Sequence, residues 1–231
     1  MMGSILDFDE LNQLHNRNGK KRSMLIDRYF SEMELKAGEI KDREEFARDM
    51  KEEIFAIMAF LFIILERKQM DMISLVKTRL SDSIKRIFMT YTYPDSETLS
   101  YIERYSSEFV DTTIQHTQDI FAKESIEDAL LVPLAYWFSE DRATYNAENE
   151  TNTLFNHEQF RQAKSDGLLY KKWLTMKDER VRKTHIEVDD TVIRIDELFH
   201  VGECLMRYPK DASHGAGVEE IAGCRCTVVY F

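Results

Sequence analysis

The side chains with the richest chemistry are concentrated in the last third of the chain. His185, His200 and His214 are three of the six histidines, and Cys204, Cys224 and Cys226 are all of the cysteines. Thiolate and imidazole are the ligands that zinc prefers. Cys224-Arg225-Cys226 is the tightest pair. On an extended segment alternate side chains share a face, so both sulfurs can address one ion. A single intervening residue is fewer than zinc knuckles ordinarily carry. Three readings stay open at this point: a structural metal site, reduced cysteines packed in a small core, and a strained or intermolecular disulfide. For a metal, here zinc, His185, Cys224 and Cys226 are the first ligands to test, with Asp211 or His214 as the fourth.

Other catalytic patterns are incomplete. His185-Ile186-Glu187 has the H-x-E spacing of zinc deaminases, but the downstream pair is C-x-C with no preceding proline. There is no phosphate-binding G-x-x-x-x-G-K-[ST] loop, no G-x-S-x-G nucleophile turn and no H-E-x-x-H. Asp178, Arg180, Arg182 and His185 are close enough in sequence to form a polar cluster. Charge-assisted hydrogen bonds in such a cluster can lock a fold. No nucleophile or substrate pocket is evident beside it.

The elements that must position these residues follow from composition and punctuation. The chain has 231 residues, 43% hydrophobic and 32% charged, which is the composition of a globular protein with a substantial core. Its formal net charge of −11 argues against coating nucleic acid, whose phosphates reward a basic surface. The charge is uneven: residues 1–150 carry 19 basic and 29 acidic side chains, residues 151–231 carry 12 and 13. An odd, small number of cysteines fits a reducing compartment during synthesis. The first residues have no basic region followed by an apolar stretch, so no secretory signal is expected there. The apolar run from Ile54 to Leu65 is too short to span a bilayer and is expected to be a helix buried on most sides in a bundle. No stable membrane anchoring is expected.

Gly38 and Gly167 bracket 128 residues without glycine, which favours long helices with few tight turns. Four helices can be drawn in that block. The first runs from Asp42 to Met70, with Asp42 and Glu45 at capping-box spacing. The second runs from Asp71 to Tyr91, with Ile73, Val76, Leu80, Ile84 and Ile87 on one face. The third runs from Ser96 to Lys123 behind Asp95 as N-cap, with Leu99, Ile102, Phe109 and Thr113 as its buried stripe. The fourth starts near Ser125 and continues toward Ala163, kinked or split at Pro133. Beyond Gly167, strands are expected at Lys171–Met176, Thr191–Ile195 and Cys226–Phe231, with a charged turn or short helix at 177–184 and a glycine-rich loop at 209–217. The fold class is therefore α+β: an N-terminal segment 1–38, a helical region 39–166, and a small α+β domain 167–231. A domain that small is marginal on its core alone, and a metal or docking onto the helices would help it. Arg17, Lys20, Lys21 and Arg22 form a basic cluster, read as a solvated turn or as a docking site for an acidic surface.

Five short runs then occur in order. They are Lys172-Trp173-Leu174-Thr175; Asp178 with Arg180-Val181-Arg182 and His185; Asp196-Glu197-Leu198-Phe199; Tyr208-Pro209-Lys210-Asp211; and Cys224-Arg225-Cys226. Together they resemble the C-terminal domain of the phage head morphogenesis family named after the F protein of phage Mu. The likeness covers residues 167–231, with a weaker match over Arg142 to Asn156. Many relatives have glycine where this chain has Lys210, and glycine in the turn where it has Asp189-Asp190, which suggests altered loops on the same fold. The resemblance implies a minor capsid protein of a tailed phage. Such a protein associates with the portal protein, acts in head assembly and in DNA packaging or delivery, and resides in the virion head near the portal after assembly in the host cytoplasm. It further implies contact with major capsid or scaffolding protein, and proximity to packaged DNA without strong binding. The family carries no settled enzymatic activity, so no catalytic residue is carried over. Trp173 would be a core anchor beside Phe199 and Pro209, with Asp178, Arg180, Arg182 and His185 as a polar lock and Cys224 and Cys226 as a staple or metal pair.

Two other functions compete. One is a metal-dependent or toxin-associated enzyme domain using the C-terminal His/Cys cluster; no effector module is expected after Phe231. The other is contact of the 54–65 segment with a host envelope during DNA delivery. For the assembly protein, Ile54, Ile57 and Leu61 are the residues expected in a bundle or at a partner interface.

Overall fold

Residues 43–123 and 133–231 are described by the structure, a computed structural model. The basic cluster at 17–22, the whole 1–38 segment, Asp42 and the expected helix start at Ser125 lie outside them. The chain divides into two compact units, Asp42–Phe155 and one that includes Asn156–Phe231.

The first unit is helical. Helix α1 (Arg43–Glu66) carries apolar side chains at steps of three and four, which gather Phe46, Met50, Ile54, Ile57, Met58, Leu61 and Ile64 on one buried face. A 3-10 turn (Met70–Met72) leads into α2 (Ile73–Tyr91). Here Val76, Leu80, Ile84 and Phe88 are buried, whereas Ile73 and Ile87 are only half-buried at the stripe's margin. Pro94 separates α2 from α3 (Ser96–Lys123), and Asp95 caps α3 by accepting from the Thr98 N–H at 2.7 Å. Ile102, Phe109 and Thr113 are buried as expected, and Leu99 is half-buried. Inside α3, Ser106, Thr113 and Thr117 donate to the carbonyls one turn back, which satisfies hydroxyls in a dry environment.

Pro133 opens a short helix, α4 (Pro133–Trp137), consistent with its tolerance in a first turn. The break comes later, at Phe138-Ser139, where the Ser139 hydroxyl accepts from the Arg142 N–H and starts α5 (Glu140–Ser165). The buried Arg142 guanidinium donates to the Trp137 carbonyl and to Thr113 Oγ1, both at 2.8 Å, and lies over the Phe109 and Trp137 rings. Burial lowers its pKa to about 10.

The expected helix buried on most sides is corrected in detail. Only one face of the 54–65 run is buried; Phe55, Phe62 and Ile63 remain about 40% exposed on the other. No described helix is long and apolar enough to cross a membrane.

The second unit begins inside α5 rather than at Gly167, because Phe160 and Ala163 pack into its core. After α5 come β1 (Tyr170–Leu174), α6 (Lys183–Val188), β2 (Val192–Arg194), β3 (Phe199–Val201), β4 (Cys204–Met206), α7 (Val218–Ile221) and β5 (Thr227–Tyr230). The sheet is antiparallel in the order β2-β1-β5, with Trp173 opposite Val228. β3 and β4 form a separate hairpin around Gly202-Glu203. Asn156 pins two distant segments: its amide donates to the carbonyls of Pro209 and Cys226, and its oxygen accepts from Thr227.

Candidate functional site

Two loops of the C-terminal unit are fastened along their length. The first leaves β1 at Thr175, whose N–H donates to Asp189 Oδ1 at 2.8 Å. Asp178 then accepts from the Arg180 N–H, a local turn that leads the chain into α6. The second loop runs from α7 through Gly223 to β5. Arg225 Nη2 donates to both Asp178 oxygens at 2.7 and 2.8 Å, Arg182 Nη2 donates to the Ala222 carbonyl, and His185 reaches Glu220. The residues expected as one polar lock therefore act separately: Asp178, Arg182 and His185 each fasten a different point of residues 220–226. The Arg180 side chain is exposed and stands beside them.

At the centre of this latch α6 turns His185 inward, where it is 1% exposed, and the edge of the Trp173 indole lies 5.6 Å from it between centroids. Its Nδ1 is 3.4 Å from Cys226 Sγ and 3.5 Å from Cys224 Sγ. Its Nε2 is 3.0 Å from Glu220 Oε2, and that oxygen also accepts from Thr184 Oγ1 at 2.9 Å. The β3–β4 turn closes over this pair. Gly202 has φ +59°, and a Cβ there would come within 3.0 Å of Thr184 Cγ2 and 3.2 Å of Glu220 Oε1.

The three titratable groups are polarised against one another. The Cys226 hydrogen bond, opposed by burial and aided by His185, holds the Cys224 thiol well below its ordinary range. The same Cys224 contact, together with burial, pushes Cys226 up. Burial works against a charged His185, but Cys224 and Glu220 outweigh it and raise its pKa. No cysteine is disulfide-bonded within the chain, and Cys224 and Cys226 are buried, so the strained intrachain bridge does not form. The arrangement can hold a thiophilic ion or keep a thiolate beside an imidazolium.

The structure thus joins His185, Cys224 and Cys226, whose ligand atoms all lie within 4.8 Å of one another. Neither expected fourth ligand joins them. Asp211 is buried elsewhere, accepting from Arg207 and Ser213, and His214 is exposed on the glycine-rich loop. Cys204 and His200 sit on the β3–β4 hairpin outside the trio. Trp173 and Phe199 are buried edge-to-face at 5.1 Å, and Pro209 is buried. Ile54, Ile57 and Leu61 are at most 1% exposed in the helical unit, so their side chains face its interior rather than a partner. Glu187 of the H-x-E spacing is exposed, and the carboxylate at His185 belongs to Glu220.

Sequence reasoning passed over Glu220, Arg225 and Lys171. Lys171 is fully buried between the Phe160 and Phe199 rings and donates to the carbonyls of Glu197 and Arg207 at 2.6 and 2.8 Å. A charged residue between Tyr170 and Lys172 in a strand reads as solvent-facing. Its burial is visible only once the two carbonyls converge.

A family model described as phage Mu protein F like protein matches residues 114–229, half of the chain, which includes every residue of the latch. Comparison with curated proteins and with solved structures finds no match. The chain belongs to the phage Mu protein F-like family, whose usual role is head morphogenesis. The match begins within α3, well before the 167–231 stretch that carries the motif runs.

Proposed function

We propose that this member of the phage Mu protein F-like family is a minor capsid protein that associates with the portal and acts in head assembly and in DNA packaging or delivery. The observation that carries the reading is the family match across residues 114–229, whose short motifs come together as one fastened unit. An assembly role needs a durable shape rather than a substrate cleft, and the motif residues of this unit are spent on core and latch. We read the chain as structural rather than enzymatic.

In this proposal the protein assembles in the host cytoplasm and resides in the virion near the portal, with major capsid or scaffolding protein as further neighbours. The net charge of −11 supports a place beside packaged DNA without adhesion to it. On α1, the side chains left for a partner are Phe55, Phe62 and Ile63 rather than Ile54, Ile57 and Leu61.

The test is co-expression with the portal protein of the same phage, followed by mass determination of the purified assembly. A stable complex with a fixed number of chains per portal ring is the expected result. Two proteins that migrate separately at micromolar concentration, alone and in the presence of assembling shell protein, would overturn the portal assignment.

A further inference from the structure

We propose that His185 Nδ1, Cys224 Sγ and Cys226 Sγ bind one divalent ion of the zinc class, with a water-sized ligand in the fourth position. The inference is independent of the assembly role proposed above. It starts from the distances. Zinc lies about 2.0 Å from an imidazole nitrogen and about 2.3 Å from a thiolate, so a tetrahedral site sets nitrogen and sulfur about 3.5 Å apart. The two Nδ1···Sγ separations are 3.4 and 3.5 Å.

The two sulfurs share hydrogen bonds with one another and with His185. An imidazole nitrogen offers one in-plane position, either a proton or a lone pair. Here two sulfurs converge on the same Nδ1. A single ion between the three atoms would engage all of them at once.

The surroundings supply what a first coordination sphere needs. Glu220 at Nε2 fixes the tautomer that leaves the Nδ1 lone pair pointing at the sulfurs, the carboxylate–histidine arrangement that orients metal ligands. Thr184 holds Glu220 in turn, and the Gly202 turn packs against the pair so closely that a Cβ there would crowd both. Two thiolates and a divalent ion sum to zero charge, which suits a site where the three ligand residues are at most 4% exposed. A soft sulfur pair selects zinc over magnesium or calcium.

The fourth position is marked by a recess of about 10 Å³ bordered by the three ligands and by Met176, Arg180, Arg182 and Arg225. That is room for roughly one water. Asp211 and His214 do not border it. The ion would tie α6 to the segment entering β5, the two loops that the Asp178–Arg225 pair already brings together. A unit with so few strands gains from such a staple.

The experiment is titration of the full-length, metal-stripped chain with cobalt(II) under a non-thiol reductant, followed by zinc. The expected result is one cobalt per chain with a near-ultraviolet sulfur-to-cobalt charge-transfer band, abolished by stoichiometric zinc. Cys224→Ser and Cys226→Ser should each weaken the band and the binding. Glu220→Gln should lower zinc affinity roughly 10–100-fold. Cys204→Ser, outside the trio, should bind as the parent does. Alkylation read by mass spectrometry covers the case in which a serine variant fails to fold: zinc should shield Cys224 and Cys226 of the parent chain and leave Cys204 labelled. A parent chain that takes up no cobalt, a band that survives the double Cys224→Ser/Cys226→Ser substitution, or cysteines labelled equally with and without zinc would each overturn the site.

Discussion

Asp211→Asn separates a loop-anchoring carboxylate from a metal ligand. Asp211 Oδ2 accepts from the Arg207 N–H at 3.0 Å and from Arg207 Nε at 2.9 Å. Oδ1 accepts from the Ser213 N–H at 3.0 Å, from the Ser213 hydroxyl, and from Arg207 Nη2 at 3.4 Å. In asparagine one oxygen becomes an amide NH2. Whichever way it turns, it confronts donors that then have no acceptor. A buried donor stripped of its partner costs about 1–3 kcal/mol. The Arg207 side chain is 25% exposed and regains part of its loss from water, while the Asp211 side chain is only 2% exposed. The sum is about 2–3 kcal/mol at neutral pH. With a urea dependence of about 1–2 kcal/mol per molar, the midpoint should fall by roughly 1–3 M. Trp173 lies in the same core as Tyr208 and can report the transition by fluorescence in a Trp137→Phe background. The dependence on pH adds a second signature. Burial raises the Asp211 pKa, but the bonds from Arg207 and Ser213 outweigh it and hold the carboxyl below its ordinary value. A depressed folded pKa stabilises above the unfolded value of about 3.9, and that contribution is lost as pH falls through the folded one. The parent and Asp211→Asn curves should therefore converge below about pH 4. Zinc content should be the same in both. A cost under about 1 kcal/mol, a gap that persists undiminished into acid, or loss of zinc from the variant would refute the reasoning.

Two further outcomes follow from burial. Leu61→Ala empties a site with no exposure and should destabilise the helical unit by about 2–5 kcal/mol, whereas Phe62→Ala, 40% exposed, should cost less than about 1 kcal/mol; urea unfolding read by Trp137 fluorescence compares them. Burial lowers the Lys171 pKa to about 8. The unfolded chain then holds that proton more tightly, so stability should rise with pH between about 8 and 10.4, and Lys171→Met should flatten the rise in urea midpoints measured across that window.

The long helices were legible because their signals are local. Asp95 ahead of α3 and the apolar spacing of α2 are contained in one stretch of chain, and both elements form where the spacing puts them. The β3–β4 hairpin was missed although Val201-Gly202-Glu203-Cys204 carries its signal. Gly202 takes φ +59° at the first position of a two-residue loop, as a type II′ turn requires. Of the charged turn or short helix expected at 177–184, the turn forms at Asp178, and the helix follows it at Lys183–Val188. His185, Cys224 and Cys226 were legible as a set from ligand chemistry alone. Glu220 was not, because a glutamate in a four-residue helix offers no local mark; only folding brings it to 3.0 Å from a histidine 35 positions away.

The two glycine positions of the family resemblance show where side-chain identity and backbone shape part company. Asp189-Asp190 and Lys210 are the positions that the resemblance reads as altered loops. Asp190 has φ +64° and Lys210 has φ +72°, the left-handed region that glycine enters freely. Both residues hold a glycine-like backbone without glycine, at a cost of roughly 1–2 kcal/mol for an ordinary side chain and less for aspartate. For Asp190 the side chain supplies compensation. Its carboxylate pairs with Lys177 at 2.8 Å and Lys172 at 3.4 Å, and its N–H donates to the Trp173 carbonyl at 2.9 Å. The turn that glycine would hold by permissiveness is here held by ion pairs to β1 and its following loop. Lys210 sits 5% exposed between Pro209, which accepts from Asn156, and Asp211, which anchors Arg207. The neighbours on both sides are fixed by their own bonds, so the residue between them takes the φ that remains. Tertiary contacts, rather than the residue's own preference, set the backbone at both turns.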